Sequence, residues 1–273
     1  MSTIILFGDE SGTMPASKKE GPFVAAFIST QNCEIDKLKI DCHKTRLLNS
    51  IKSNNFVPII NFVYPGDDYE EIFKRRMEKF EIMARYSKLM TNNTHLLLTN
   101  FGIPDRNYIW IQGMGISIGH SFLKMLSNNE IEKIRIYIDQ KSMVKKNREF
   151  FEHNISEIPQ RIFNVLKKNK SIFPNYVKNI QSNLKFSQED IEIFWNDNDK
   201  FQKYKNGFLV VHHLAKFSKD ILKKDGIEKL NEVFENEGFT NSLYDITKFL
   251  IAPLDKNAIE RWKRSTGLPE PNV

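Results

Sequence analysis

Cysteine is scarce in this chain. Its 273 residues hold only Cys33 and Cys42, with no C-x-x-C pair. That scarcity argues against a disulfide framework and a cysteine-based zinc site, and it points to a reducing cytoplasm. Long apolar runs are missing as well. The opening MSTIILFGDE has neither the basic start nor the extended apolar core of a signal peptide. The longest charge-free stretch, Asn107 to Leu123, contains Gln112, His120 and the glycines Gly113, Gly115 and Gly119. It reads as a buried helix whose glycines permit close packing, not as a membrane span. The expectation is a cytoplasmic protein with no membrane partner.

Several catalytic signatures are also absent. GMGISIG is followed by no GK[ST] and lacks the dinucleotide spacing, so neither a P-loop nor a Rossmann fingerprint is present. No G-x-S-x-G elbow occurs, and Ser11 has no base near it in sequence. His43, His95, His120 and His153 show no ligand spacing. His212 and His213 are adjacent on a helical pattern, about 100° apart, so at most one of them faces a given site. A histidine on such an apolar face is ordinarily a hydrogen-bonded core residue. Internal repeats and low-complexity linkers are missing too.

What is present begins with positive charge. Lys and Arg number 40 against 34 Asp and Glu, giving a net charge of +6 and a pI near 9.1. A basic balance favours polyanionic partners, nucleic acid among them. The basic clusters include Lys74-Arg75-Arg76, Lys145-Lys146 with Arg148, Lys167-Lys168 with Lys170, Lys223-Lys224, and Arg261 with Lys263-Arg264. Each alone reads as a solvated face. The group Lys141, Lys145, Lys146 and Arg148 is the best placed for phosphate contacts, because it closely follows Asp139.

Periodicity supplies the elements. Ile4 to Phe7 is a β-branched apolar run that predicts a buried strand, and GPFVAAFIST after a short polar loop predicts its hairpin partner. Helices are predicted over CEIDKLKIDCHKTRLLNSIKSN, over DDYEEIFKRRMEKFEIMARYSKLM with its acids first and bases later, over Asn107 to Leu126, and over Asn206 to Lys224. NFVPIINFVYP reads as a short strand or an extended segment. Further strands are predicted at Thr94 to Phe101, at Lys133 to Ser142 and within NIQSNLKFS. The tail from Gly226 reads as short helices. This order predicts an α/β domain over residues 1–224, built on a mixed five-stranded sheet flanked by helices. Helical insertions are expected at about 31–92 and 142–178, and a helical C-terminal extension over 225–273.

Two predicted strands end in acid: IILFGDE in Asp9 and Glu10, IRIYID in Asp139. Buried carboxylates are costly unless paired or bound to a metal. If the strands are parallel neighbours, Asp9 and Asp139 meet at the carboxyl edge of the sheet, where open α/β sheets bind ligands. Oxygen ligands there suit Mg2+ or Mn2+. Taken singly, Asp9 is equally a turn residue before Ser11-Gly12, and Asp139 a helix cap; their matched contexts favour a shared site.

DESG at the end of a first strand, a following strand like GPFVAAFIST, a later strand ending in Asp, and the helix segment GFLVVHHLA together resemble the bacterial and phage family called domain of unknown function 3800. The resemblance covers roughly residues 3 to 222. It implies a ribonuclease H-like fold and a two-metal nuclease site in which Asp9, Glu10 and Asp139 hold Mg2+ or Mn2+. The family pattern has Asp where this chain has His212, and Gln where it has Leu209. His212 would then activate the attacking water as a general base or ligate manganese. The resemblance thus implies a phosphodiesterase acting on DNA or RNA, with a role in phage defence or as a toxin-like effector. The competing expectation is a non-catalytic module that binds nucleic acid or a protein partner.

Overall fold

The computed structural model describes residues 3–13, 15, 17–31, 41–67, 69–71, 74, 114–115, 117–119, 121, 132–139, 148, 152, 155, 190–195 and 204–247. Six strands form one sheet: β1 (Thr3–Ser11), β2 (Phe23–Gln31), β3 (Val57–Val63), β4 (Lys133–Ile138), β5 (Ile191–Trp195) and β6 (Leu243–Asp245). Their order is β5-β4-β1-β2-β3-β6. β1 to β3 form an antiparallel meander, with Phe7 opposite Ile28 and Phe27 opposite Ile59. β4 pairs parallel to β1, β5 parallel to β4, and β6 parallel to β3. The sheet is therefore mixed, with β1 in its interior.

Both faces of β1 and β4 are buried. Ile4, Leu6, Ile136 and Ile138 fill one face and Phe7 and Tyr137 the other. This explains why the two strands read as continuous apolar runs and not as alternating ones. On the second face Phe7 stacks on Tyr137 at 5.4 Å, and Tyr137 on Phe194 at 4.9 Å, joining three adjacent strands by aromatic contact.

Two helices have described bounds, α1 (Leu47–Ser53) and α2 (Lys205–Asn236). α2 lies across β1 and β2 and buries Phe208, Val211, Leu214, Ala215 and Leu222. It approaches closely because residue 207 has no side chain: a Cβ on Gly207 would lie 2.6 Å from the Phe7 ring. Phe208 then meets the same ring edge-on at 5.5 Å. Gly226, at φ 83° and ψ −175°, breaks the helix in a conformation open almost only to glycine.

Four expectations change. The sheet has six strands, not five. β3 lies inside the stretch 31–92 read as a helical insertion; the burial of Pro58 to Val63 against β2 selects the strand. The strand beside β4 is Ile191–Trp195, a segment not read as a strand; NIQSNLKFS lies outside the described residues. The boundary at 224 and 225 falls inside α2, and the following segment contributes β6 to the sheet edge, so it is not purely helical. The strand read at Thr94 to Phe101 also lies outside the described residues. The glycine-bearing segment is helical where described, at Met114, Gly115, Ser117, Ile118, Gly119 and Ser121. Among the described residues no helix is long and apolar enough to cross a membrane.

Candidate functional site at the carboxyl edge of β1 and β4

Asp9 is the third residue from the end of β1, where the strand leaves the core, and it is only 5% exposed. Both of its carboxylate oxygens are engaged. Oδ1 accepts the backbone N–H of Glu10 at 2.7 Å, and Oδ2 accepts Nδ1 of His212 at 2.8 Å. Burial pushes the Asp9 carboxyl above its ordinary range; the His212 and Glu10 hydrogen bonds oppose this, and the neighbouring Asp139 carboxylate adds to it. The net direction is upward, so the buried carboxylate gains from a neighbouring cation.

Asp139 arrives by strand register. Gly8 lies opposite Ile138, and the Asp139 N–H continues the ladder by donating to the Gly8 carbonyl at 3.2 Å. Asp139 therefore stands beside Asp9, and alternation along β4 puts it on the face of Tyr137, the same face as Phe7 and Asp9. The parallel pairing on which the meeting of Asp9 and Asp139 was conditional is present in the sheet.

His212 is delivered by α2, which runs along β1. Phe208 sits on Phe7; four residues further on the helix, a rise of about 6 Å, match two residues of strand, about 6.6 Å, so His212 falls on Asp9. Its side chain is 58% exposed. Asp9 thus fixes which ring nitrogen carries the proton: with Nδ1 donating inward, the neutral ring keeps its lone pair on Nε2. His213 packs edge-on to His212 at 5.8 Å, and burial, then His212 and Lys216, push its pKa down.

Gly12 ends the DESG turn at φ 92°, a conformation that disfavours any side chain. A Cβ there would also meet the Pro22 carbonyl at 2.5 Å and the Lys219 Cδ at 3.2 Å. The turn is therefore in contact with α2 a second time, seven residues beyond His212.

Other expected site residues are not brought together. Glu10 lies on the alternate face of β1, opposite Ala25, so its side chain leaves the strand away from Asp9 and His212. Arg148 lies over the Trp195 ring, 5.4 Å from its centroid, and Trp195 Nε1 donates to Glu152 Oε1 at 2.6 Å. Trp195 is the register partner of Ile138, so this cluster shares the sheet edge but belongs to the opposite face from Asp9. Lys141, Lys145 and Lys146, like Gln112 and His120, lie outside the described residues. Among the described residues no group of three or more His, Cys, Asp or Glu side chains is arranged to hold a metal ion. Cys42 is free and half-buried, and burial followed by Asp41 pushes its thiol up.

No protein-family model matches this chain, and no curated protein or solved structure matches it either.

Lys216 and Lys219, which share the outer edge of α2 with His212, were not singled out from the sequence. The signal was present: His212, Lys216, Lys219 and Lys223 follow each other at steps of four, three and four, which is one helix face.

Proposed function

We propose that this chain is a divalent-metal-dependent phosphodiesterase acting on DNA or RNA. The observation that carries it is the meeting of Asp9, Asp139 and His212 at one strand edge. The strand order β5-β4-β1-β2-β3, an antiparallel meander followed by strands parallel to β1, supports the finer reading of a ribonuclease H-like fold. A part in phage defence or as a toxin-like effector accompanies that reading through the resemblance alone.

Asp9 and Asp139, with His212 on Asp9, are the donors that an oxygen-seeking cation such as Mg2+ or Mn2+ would take, although among the described residues they do not form a three-ligand group. Asp9 and Asp139 offer adjacent carboxylates whose repulsion a cation relieves, and His212 adds an imidazole that manganese accepts. A two-ion site needs more carboxylate than this pair supplies, and Glu10 leaves the strand on the other side. When bound, the ion supplies an acidified water and neutralises charge on the phosphoryl oxygens. The protein's own part is to hold and orient. Asp9 aims His212 and sets its tautomer, and Nε2 is then the acceptor for a proton lost by an attacking water.

The competing reading is a non-catalytic binding module. It is favoured by the engagement of both Asp9 oxygens within the chain and by the absence of a three-ligand group among the described residues. A cleavage assay on a panel of DNA and RNA with Mg2+ or Mn2+ separates the two. Cleavage by wild type, lost in Asp9→Asn and in Asp139→Asn variants that still fold, is expected. Binding without cleavage under either metal overturns the enzyme reading in favour of the module.

A further inference from the structure

α2 carries more than His212 along its outer edge. His212, Lys216, Lys219 and Lys223 lie within about 60° of one another around the helix axis, at 100° per residue. The helix is unbroken over this span, since its break falls later, at Gly226. Lys216 and Lys223 are exposed, and Lys219 is half-buried with its stem against the DESG turn at Gly12. None of the three makes an ion pair among the described residues. The nearest acid on the helix, Asp220, is already held by Lys44 at 3.1 Å. The ridge therefore presents uncompensated positive charge over about 10 Å of helix from Lys216 to Lys223, beginning one turn from His212.

The placement is not that of a merely solvated face. The Lys219 stem is fixed by a backbone turn that a side chain at residue 12 would disrupt, and the same turn follows Asp9. One end of the ridge is thus tied to the strand that carries the acid, and the charges form a line and not a scatter. We propose that Lys216, Lys219 and Lys223 form a track for the sugar–phosphate backbone of a nucleic-acid strand, leading it to His212 and Asp9. The track deepens the nuclease reading by naming its substrate-binding surface, but binding along it does not require cleavage.

The test measures binding of a labelled single-stranded oligonucleotide and of its duplex, without metal, across a range of salt. The triple variant Lys216→Gln, Lys219→Gln, Lys223→Gln keeps good helix formers at surface positions. A control removes the same charge elsewhere, at the exposed Lys19, Lys52 and Lys205. Three phosphate contacts contribute a slope of about 2 to 3 in log affinity against log salt, or about 20- to 40-fold between about 50 and 200 mM salt. The track variant is expected to lose that slope and at least about tenfold in affinity at low salt, while the control keeps its slope. Equal weakening of both variants, or no binding by wild type, overturns the track. Wild-type binding without cleavage in the metal assay leaves the track standing and removes the nuclease. Cleavage by the track variant at the wild-type rate and affinity does the reverse.

Discussion

Asp9 is a carboxylate kept in a place that suits its neutral form. Its folded pKa is raised, chiefly by burial, so the folded chain holds the proton to a higher pH than the unfolded chain does. Stability from this group is therefore fullest below the unfolded pKa, about 3.9, and is lost as pH rises through the folded value. Asp9→Asn removes that loss. Its amide oxygen still accepts from Glu10, and its NH2 donates to Nδ1 of His212 once the ring moves its proton to Nε2. The variant is expected to be more stable than wild type at pH 7, by about 0.5–2 kcal/mol, with the gain gone near pH 4; chemical denaturation at the two pH values checks it. Nitrogen-15 NMR of His212 should show the inverted tautomer, and cleavage should be lost because Nε2 no longer accepts a proton. The acids and His212 were legible in the sequence because strand ends and helix spacing are local signals. Glu10 follows Asp9 directly in the sequence, but the pleat sends the two side chains to opposite faces of β1. Closeness in sequence to Asp139 does not say on which face the chain returns, and Arg148 lies over Trp195.

At the scale of elements, the site depends on how closely α2 approaches β1. Gly207 allows that approach, with the Phe7 ring filling the place of its missing side chain. Gly207→Ala puts a methyl 2.6 Å from that ring, so helix or ring must shift. The expected cost is about 1–3 kcal/mol of stability, read by denaturant unfolding. The same shift moves His212 off Asp9, so activity should fall at temperatures where the variant is still fully folded. Gly207→Ala should leave oligonucleotide binding in low salt nearly intact, since it leaves the charge and spacing of Lys216, Lys219 and Lys223 along α2 unchanged. The β1–β2 hairpin, β4 and α2 were readable because each carries a long, regular pattern. β5 was not: IEIFW is five residues set between acidic neighbours, and its partly exposed Glu192 pairs with Lys133 and Arg135, each at 2.9 Å across the strand pair. β6, three residues long, has no periodicity to read.

For the whole molecule, the sheet must close both of its edges, and β6 closes the one beyond β3. Ser242 accepts from the Ile60 N–H at 2.7 Å, Ile246 donates to the Phe62 carbonyl at 2.9 Å, and the Thr247 hydroxyl accepts from the Tyr64 N–H at 3.0 Å. Ile246 is fully buried as it does so. Without these partners β3 presents VPIINFV as an unpaired strand with no charged residue, the kind of edge that recruits other chains. A chain ending after Phe239 is expected to unfold at least about 2 kcal/mol more easily than one ending after Thr247, from the loss of the Ile246 side chain alone. It should also self-associate at concentrations where the longer chain does not, despite the net charge of +6. Light scattering and denaturant unfolding of the two truncated chains, side by side, isolate β6 from everything that follows Thr247. Equal stability and equal association in the pair would show that the edge of β3 is protected by something other than this strand. A loss of stability without association would mean that the positive charge of the chain suffices to keep an open edge from pairing.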